Sequence, residues 1–390
     1  MSMKASVIIP TYDRANILAY TLHSLARQTI KNDDFEVIVS DDGSSDRTVD
    51  VVREYEAHLN LRYTYHDDLG HRTASTRNAG ATLATGETLI FLDSGTLACA
   101  EFVESHVREH QDGTTPRAVV GRVGGYDTAA SAPPVSLQTR LSGSESLTVA
   151  QARAMGLADM RDGELARFEG DIEAALLPWR LFWTGNCSVR TTAFREVGGF
   201  DDRFVGWGVE DVDLGYRLSR DGVLLAWSED ALAVEYPHPR ATMTNTENNY
   251  RNHRLFLESH IDPEIELFLS ARRVGKDVHD AAVEYREWIA GMGIEGSALE
   301  PQEISSFVGR HAVFGPERSN DLDVLVTPMF DGTGPWRRSV GLDTRLPSGI
   351  FESVHISGVY QPIWRRWREQ LLAEAGRLAA RVTLAPDLGA

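Results

Sequence analysis

The chain has little of several features that would assign it to common classes of protein. Its 390 residues include only two cysteines, Cys99 and Cys187, too few for a disulfide framework or a structural zinc site. No apolar run approaches the roughly 20 residues that span a bilayer, and Met1 to Pro10 lacks the pattern of a secretory signal. We therefore expect a cytoplasmic protein without integral membrane association, acting on a soluble or at most a membrane-surface acceptor.

Basic residues are also scarce. The 39 lysines and arginines face 57 acidic side chains, so the formal net charge is −18, which argues against a nonspecific nucleic-acid binder. An anionic substrate must then be held by local arginines, backbone N–H groups or a cation. The hydrophobic content of 42% and the charged content of 25% are those of an ordinary globular protein with one large domain plus appendages, or two domains.

The first 95 residues alternate short apolar runs with amphipathic stretches. The run from Ser6 to Ile9 is typical of a strand buried on both faces of a parallel sheet. The pattern predicts strands at 6–9, 35–39, 61–65 and 88–92, and helices at 18–25, 46–58 and 73–83. Strands that alternate with helices indicate a doubly wound α/β fold, a mostly parallel sheet flanked by helices.

The rest of the chain divides by composition. The ordered α/β pattern ends near residue 125, and residues 126–178 are predicted to form a partly helical insertion or mobile lid. Order returns over 179–245, where 210–220 reads as a helix. Residues 246–390 are predicted to form a mixed C-terminal appendage with helices at 248–269 and 280–292 and a strand at 323–326.

Polar residues follow three of the predicted strands. They are the segments 10–14, 41–46 and 93–95. Because parallel strands present their carboxyl ends along one edge, we expect these segments to lie together where a ligand binds. Acidic residues before a helix are often simple caps; we adopt that interpretation for Asp46 and reject it for Asp42.

With these segments in hand, the sequence resembles the family 2 glycosyltransferases of GT-A fold. The motifs that carry the resemblance are Val7-Ile8-Ile9-Pro10-Thr11-Tyr12-Asp13-Arg14, Asp41-Asp42-Gly43-Ser44, Arg77-Asn78-Ala79-Gly80, Gly86-Glu87 and the Asp93 loop. A second block runs from Thr184 to Asp211, and its segment Gly206-Trp207-Gly208-Val209-Glu210-Asp211 is also similar to that of β-galactosyltransferases and chondroitin-type polymerases. The resemblance covers about residues 5–240, with 1–125 as the nucleotide-sugar-binding half and 179–245 as the acceptor-binding and catalytic half.

The resemblance implies a nucleotide-sugar donor, commonly a UDP-sugar, lying across the strand ends. Pro10, Thr11, Tyr12 and Arg14 would border the nucleotide, and Asp42 would accept a hydrogen bond from the uracil ring. A carboxylate offers only acceptors, so it selects a ring that presents N–H. Arg77, with Arg72 as a further candidate, would approach the diphosphate, because a guanidinium presents a fork of donors to phosphate oxygens.

One position departs from the family pattern. The family strand usually ends in Asp-x-Asp, whose second aspartate commonly binds a divalent cation and whose first touches the nucleotide; here Asp93 is followed by Gly95. Mn²⁺ or Mg²⁺ can be held by few protein groups when phosphates supply the others. Asp93 and His238 are the candidate ligands, although a lone histidine is more often structural. Arginines taking over from the cation are the second possibility.

The catalytic carboxylate follows from the reaction that the resemblance implies. Displacing a nucleotide diphosphate with inversion needs a base that takes the acceptor hydroxyl proton. By family position Asp211 is that base, while Glu210, Trp207 and Gly208 contact the acceptor. Residues adjacent on a helix point about 100° apart, so Asp211 and Glu210 cannot share one role. Against this stands the reading that both carboxylates merely cap the helix.

The sequence thus predicts an inverting transferase of hexosyl or N-acetylhexosaminyl groups that makes a β-linked product on a glycan, carrier-bound or small-molecule acceptor. The alternative is a sugar-nucleotide-binding protein that has lost catalysis, prompted by Gly95. A nucleotidyltransferase is set aside, because the loop after the first strand offers Arg14 where a glycine-rich loop with a lysine is required.

Overall fold

A computed structural model describes residues 3–111, 115–125, 147–238, 242–260, 262–291, 311–314, 324–327 and 336–388. The chain divides into two compact units, Met1–Asn252 and His253–Ala390. Within the described residues no helix is long and apolar enough to cross a membrane. The predicted insertion at 126–178 is described only from residue 147 onward, so its first part lies outside the described residues.

Unit 1 is built on an eight-stranded sheet with the order β3-β2-β1-β4-β7-β6-β8-β5. Its strands are β1 (Ala5–Thr11), β2 (Phe35–Asp41), β3 (Leu61–Tyr65), β4 (Thr88–Leu92), β5 (Thr96–Ala98), β6 (Arg117–Gly124), β7 (Asn186–Arg190) and β8 (Leu224–Glu235). The first four strands are mutually parallel, with Thr11 opposite Asp41, and β7 runs antiparallel to β4 and β6. The predicted mixed α/β fold with a mostly parallel sheet flanked by helices is confirmed.

The helices of unit 1 lie between these strands. They are α1 (Ala15–Leu25), α2 (Thr48–Tyr55), α3 (Thr73–Leu83), α4 (Phe102–Gln111), α5 (Val149–Ala154), α6 (Asp162–Leu165), α7 (Thr191–Glu196), α8 (Glu210–Arg220) and α9 (Thr242–Ser259), the last running past the end of the unit. Short 3₁₀ turns occur at Asn32–Asp34, Ala166–Phe168, Ile172–Ala174 and Pro178–Leu181. The predicted second helix is shorter than 46–58, because Asp46 accepts bonds from Thr48 and from the Ala15 N–H instead of continuing the helix.

The core of unit 1 is made by the apolar runs that identified the strands. Val7 and Ile9 of β1 and Val37 and Val39 of β2 are fully buried against Leu22 and its neighbours on α1. Burying such side chains contributes roughly 1.5–3 kcal/mol each. Both cysteines, Cys99 and Cys187, are buried and unbridged, as the composition predicted. This rigid sheet fixes the strand ends from which the polar segments project.

Helix α3 packs unusually close to the sheet. A Cβ at Gly80 would meet Ile8 Cγ2 at 2.7 Å, so only glycine allows this approach. Asn78 lies inside α3. Its amide donates to the Phe200 carbonyl and accepts from the Phe200 N–H, so α3 ties the first half of unit 1 to the block that leads to α8.

Unit 2 contains a second sheet that the sequence did not reveal beyond one strand. It is fully parallel, with the order β11-β10-β9-β12-β13. Its elements are α10 (Pro263–Arg273), α11 (Val278–Gly291), β9 (His311–Phe314), β10 (Val324–Thr327), β11 (Trp336–Arg338), β12 (Phe351–Ile356), the 3₁₀ turn Gly358–Tyr360, α12 (Gln361–Leu378), β13 (Ala379–Leu384) and the 3₁₀ turn Pro386–Leu388.

The helix predicted over 248–269 is two helices, α9 and α10. Asp262 accepts a bond from the Glu264 N–H and Pro263 occupies the first turn of α10. A proline has no N–H to continue the preceding helix and is well suited to open a new one. The Asp-Pro pair is therefore the signal that the periodicity alone missed.

Candidate active site

The ends of β1 and β2 form one interlocked pair of turns. The Asp42 N–H donates to the Thr11 carbonyl at 2.9 Å, and the Asp13 carboxylate accepts from the Ser45 N–H at 2.7 Å. Thr11 is buried beside the partly buried Pro10, while Tyr12 is exposed and its hydroxyl donates to Asp68 at 3.0 Å. The segments after these strands therefore lie together, as the topology predicted.

Asp42 is buried at this edge and is held by the start of α3. Its Oδ2 accepts from the Arg72 backbone N–H at 2.8 Å, and its Oδ1 lies 3.4 Å from the Arg72 guanidinium. This fixes the orientation of the carboxylate before any ligand binds. The predicted contact of Asp42 with a uracil ring stays a prediction.

Arg77 joins the donor-side and acceptor-side carboxylates. Its guanidinium is 3% exposed and donates to Asp93 Oδ1 at 2.8 Å and to Glu210 Oε1 at 3.0 Å, above the ring of Phe200. Burial disfavours its charged form, but Asp93 and Glu210 outweigh burial and raise the pKa of Arg77. We call these three residues the Arg77 bridge.

The Arg77 bridge bears on the roles predicted for Arg77 and Asp93. Arg77 was expected at the diphosphate, yet its donors are turned to two carboxylates of the protein. Asp93 is bonded through Oδ1, while its side chain remains 42% exposed. The bridge therefore leaves the Asp93 side chain accessible to a ligand, while Arg77 is buried.

Glu210 and Asp211 open α8, as predicted. Glu210 is buried, and its Oε2 has no hydrogen-bond partner among the described residues. Asp211 is half-buried and accepts the N–H of Val212 at 2.8 Å. Burial, followed by the charge of Glu210, raises the pKa of Asp211 to about 7, with Arg77 acting in the opposite direction. A buried oxygen without a partner among the described residues, in Glu210, and a raised pKa, in Asp211, are unusual for residues that merely cap a helix.

The loop before α8 is bent and anchored. Gly206, Gly208 and Val209 all have positive φ, and for the branched Val209 a φ of 80° is strained. The Gly206 N–H donates to the His71 carbonyl at 2.7 Å, and the Asn252 amide donates to the Gly208 carbonyl at 2.8 Å. Trp207 is 37% exposed at the tip, so the predicted acceptor-facing ring is accessible.

Gly95 and His238 lie side by side. Gly95 has a φ of 96°, its N–H donates to Thr21 Oγ1 at 2.9 Å, and its ideal Cβ would be 3.7 Å from His238 Nδ1. His238 Nε2 lies 3.1 Å from an Arg14 guanidinium nitrogen. The structure thus brings together Arg14 and His238, which the sequence had assigned to different tasks.

These residues do not form a cation site by themselves. Within the part of the chain that the structure describes, no three His, Cys, Asp or Glu side chains come together around a point that could hold a metal. Position 95 has no side chain, Asp93 is bonded to Arg77, and His238 Nε2 faces a guanidinium. These residues alone therefore do not complete a site for the predicted Mn²⁺ or Mg²⁺, and the cation stays a prediction.

Some contacts in the site were not predicted. Asn252 had no signal in the sequence, because an asparagine on a helix has many ordinary uses, and its contact with Gly208 depends on where α9 lies. A surface cavity of about 670 Å³ lined by Trp227, Glu229 and Asp230 among others contains none of the predicted site residues. The Arg77 bridge, not this cavity, marks the candidate site.

Comparison with known proteins identifies the family of the chain. Residues 6–153 match the family described as "Glycosyl transferase family 2", and residues 174–238 match that described as "N-terminal domain of galactosyltransferase". Validoxylamine A glucosyltransferase of Streptomyces hygroscopicus subsp. jinggangensis is 34% identical over 97% of this chain and 96% of that protein. The chain belongs to the family 2 glycosyltransferases, and it is a glycosyltransferase.

Two further proteins are similar over less of their length or with lower identity. Chondroitin synthase of Escherichia coli is 30% identical over 60% of this chain and 35% of that protein. A mannosyltransferase from Pyrobaculum calidifontis, solved in complex with GDP-Man and Mn²⁺, is 17% identical with a TM-score of 0.48, covering 75% of this chain and 76% of that one. The specific likeness of the 206–211 segment to β-galactosyltransferases and chondroitin-type polymerases stays a prediction.

Proposed function

We propose that this enzyme transfers a sugar from a UDP-sugar to an acceptor hydroxyl with inversion, forming a β-linkage, and that Asp211 is the general base. The observation that carries the proposal is the Arg77 bridge, which joins the end of β4 to the start of α8 with Asp211 as the next residue. A donor at the strand ends and an acceptor at α8 would then share one site.

In the proposed reaction the acceptor oxygen attacks the anomeric carbon as the bond from that carbon to the diphosphate oxygen breaks. The hydroxyl proton passes to the Asp211 carboxylate, and the diphosphate leaves with the electron pair. A base works best when its pKa lies near the working pH. The raised pKa of Asp211, about 7, meets that requirement.

Glu210 is proposed to bind the acceptor. Its Oε1 is occupied by Arg77, while its buried Oε2 lacks a partner among the described residues. An acceptor hydroxyl would supply the missing donor, and leaving that oxygen unpaired would otherwise cost about 1–3 kcal/mol. Trp207 and the Gly208 backbone would border the same acceptor from the anchored loop.

On the donor side, Pro10, Thr11, Tyr12 and Arg14 are proposed to border the nucleotide, and Asp42 to accept from the uracil N–H. For Arg77 we replace the predicted phosphate contact with a positioning role, because its donors already hold Asp93 and Glu210. Asp93 would touch the nucleotide through its remaining oxygen.

The name of a relative that matches nearly the whole chain suggests substrates. Because the match to validoxylamine A glucosyltransferase extends over 97% of this chain, we propose glucose as the transferred hexosyl group and a small molecule, rather than a glycan or carrier-bound intermediate, as the acceptor. We leave the predicted Mn²⁺ or Mg²⁺ out of the proposed reaction, because the residues at Asp93 and His238 do not complete a site for it.

The test measures UDP and glycoside formation from UDP-glucose, with validoxylamine A as the first acceptor, by the native enzyme and by Asp211→Asn. We expect the substitution to lower kcat/KM by about 10²- to 10⁴-fold, the usual contribution of a general base. Asp221→Asn, at the exposed far end of the same helix, is the matched control and should be unaffected.

The same assay addresses the alternative of a sugar-nucleotide-binding protein that has lost catalysis. Binding of UDP-glucose without product, and with equal background UDP release from the native enzyme and Asp211→Asn, would favour the binder over the transferase. Product of retained rather than inverted configuration would refute the role of Asp211 as base.

A further inference from the structure

We propose that Arg14, oriented by His238, supplies the positive charge that stabilises the departing diphosphate, and that the reaction therefore proceeds without a divalent cation. This inference rests on the proposed function. It is carried by the arrangement of three residues on three different strand ends: Arg14 after β1, Gly95 after β4 and His238 after β8.

The position of Gly95 explains why a cation has no second carboxylate here. A side chain at 95 would start 3.7 Å from His238 Nδ1 and 3.2 Å from Ile17 Cδ1, so it would project toward His238. The second aspartate that the family commonly has would thus reach His238, and the two could share a cation. With glycine there, the guanidinium of Arg14 lies at His238 instead.

The contacts of His238 occupy both of its ring nitrogens. Nε2 lies 3.1 Å from a guanidinium nitrogen of Arg14, a group that can only donate. Nδ1 lies 3.0 Å from the Tyr236 carbonyl and 3.9 Å from Glu235 Oε1. The ring edge that a metal would use is therefore directed at Arg14, and His238 orients the guanidinium.

The three arginines of this edge differ in exposure: Arg14 is exposed, Arg72 is partly buried and Arg77 is buried. Arg77 is buried between Asp93 and Glu210, and Arg72 is turned to Asp42 and the Asp67 carbonyl. Arg14 is exposed and precedes α1, at the strand end where the donor would lie. Its planar fork matches phosphate oxygens and remains charged at any working pH.

The first test compares the rate of transfer in EDTA, in Mg²⁺ and in Mn²⁺, using native enzyme stripped of metal by the chelator. We expect rates within about twofold of one another, since no step then passes through a cation. A rate in EDTA more than tenfold lower, restored by Mn²⁺ or Mg²⁺, would overturn the inference and leave the proposed function standing. Absence of product under every condition would overturn both.

The second test examines the arginine itself. Arg14→Met should lower kcat by about 100-fold, the usual effect of removing one group that stabilises transition-state charge, and Arg14→Lys should recover part of the loss. Arg47→Met, an exposed arginine at the start of α2, is the control and should behave as native. Equal kcat for Arg14→Met and native enzyme would refute the role of Arg14.

A third variant stays informative if Arg14→Met does not fold. Gly95→Asp places a carboxylate beside His238, and aspartate tolerates positive φ better than most residues. We expect Mn²⁺ to stimulate this variant at least fivefold while leaving native enzyme unchanged. A variant as indifferent to Mn²⁺ as the native enzyme would refute the claim that Gly95 is what removes the cation.

Discussion

Unit 1 and unit 2 each contain a buried glutamate, Glu210 and Glu266, and the two differ in how many of their oxygens accept hydrogen bonds. In unit 2, Glu266 accepts bonds from the Ser339 hydroxyl and from the N–H groups of Val340, Leu342 and Asp343. In unit 1, Glu210 keeps one buried oxygen without a partner among the described residues. The same kind of side chain is saturated in one unit and left unsaturated in the other.

The comparison shows that a perturbed pKa alone does not identify a catalytic group. Burial raises the pKa of Glu266 to about 7, and it does the same for Asp211. The two differ in their surroundings: Glu266 is enclosed by a loop that uses both of its oxygens, whereas Asp211 is half-buried beside an unsatisfied neighbour. Incomplete hydrogen bonding, more than the pKa, distinguishes the Glu210–Asp211 pair from Glu266.

The largest expected effect is on the stability of unit 2. Glu266→Ala would strand four buried donors, at about 1–3 kcal/mol each, so we expect the free energy of unfolding to fall by at least about 3 kcal/mol. Glu264→Ala on the same helix removes a partly exposed ion pair with Arg286, and a pair of that kind contributes under about 1 kcal/mol. Denaturant unfolding of both variants measures the two losses in free energy of unfolding. Equal losses would show that the hydrogen bonds to the buried Glu266 add no more stability than the partly exposed ion pair of Glu264.

The next effect is on the pH dependence of the rate. Because the pKa of Asp211 is raised to about 7, the base is protonated and inactive below that pH. The value of kcat/KM should therefore rise about tenfold per pH unit from pH 5 to 7, about 100-fold in all, and then level off.

Glu266→Gln provides the control for the pH profile. It removes the other carboxylate whose pKa is raised to about 7 but lies in unit 2, so the profile of the rate should not change. A bend near pH 7 that vanished in Glu266→Gln, or a profile flat from pH 5 to 8, would contradict the assignment to Asp211.

The smallest expected effect is on acceptor affinity. Glu210→Gln keeps the shape of the side chain but removes its charge, so the acceptor KM should rise about tenfold, the loss of one charge-assisted hydrogen bond. The donor KM should change by less, because Glu210 is linked to the donor side through Arg77 and Asp93. Varying each substrate separately measures both constants. A donor KM that rises in place of the acceptor KM would indicate that Glu210 contacts the donor.

Much of unit 1 was predictable because its signals are local. The local alternation of strand and helix patterns gave β3, α3 and β4 with their observed limits. The rule that parallel strands end at one edge brought Asp42 and Asp93 to the same region. The α8 boundaries were also predicted, since three acids open it and two arginines close it.

The remainder depended on long-range contacts that periodicity does not encode. Arg77 and Glu210 are 133 residues apart, so no pattern near Arg77 could show that its charge is used within the protein. In the parallel sheet of unit 2, β10 was predicted as 323–326, while the missed β9 and β11 have four and three residues. Strands that short carry too little alternation to be distinguished from loop.

The Arg77 bridge also has a thermodynamic consequence. A ligand that engages Asp93 competes with Arg77 for that carboxylate, and any movement of the guanidinium alters its hold on Glu210. Nucleotide and acceptor would then bind cooperatively, and by reciprocity each must change the affinity of the other by the same factor. One buried guanidinium would thereby couple the binding of the two substrates.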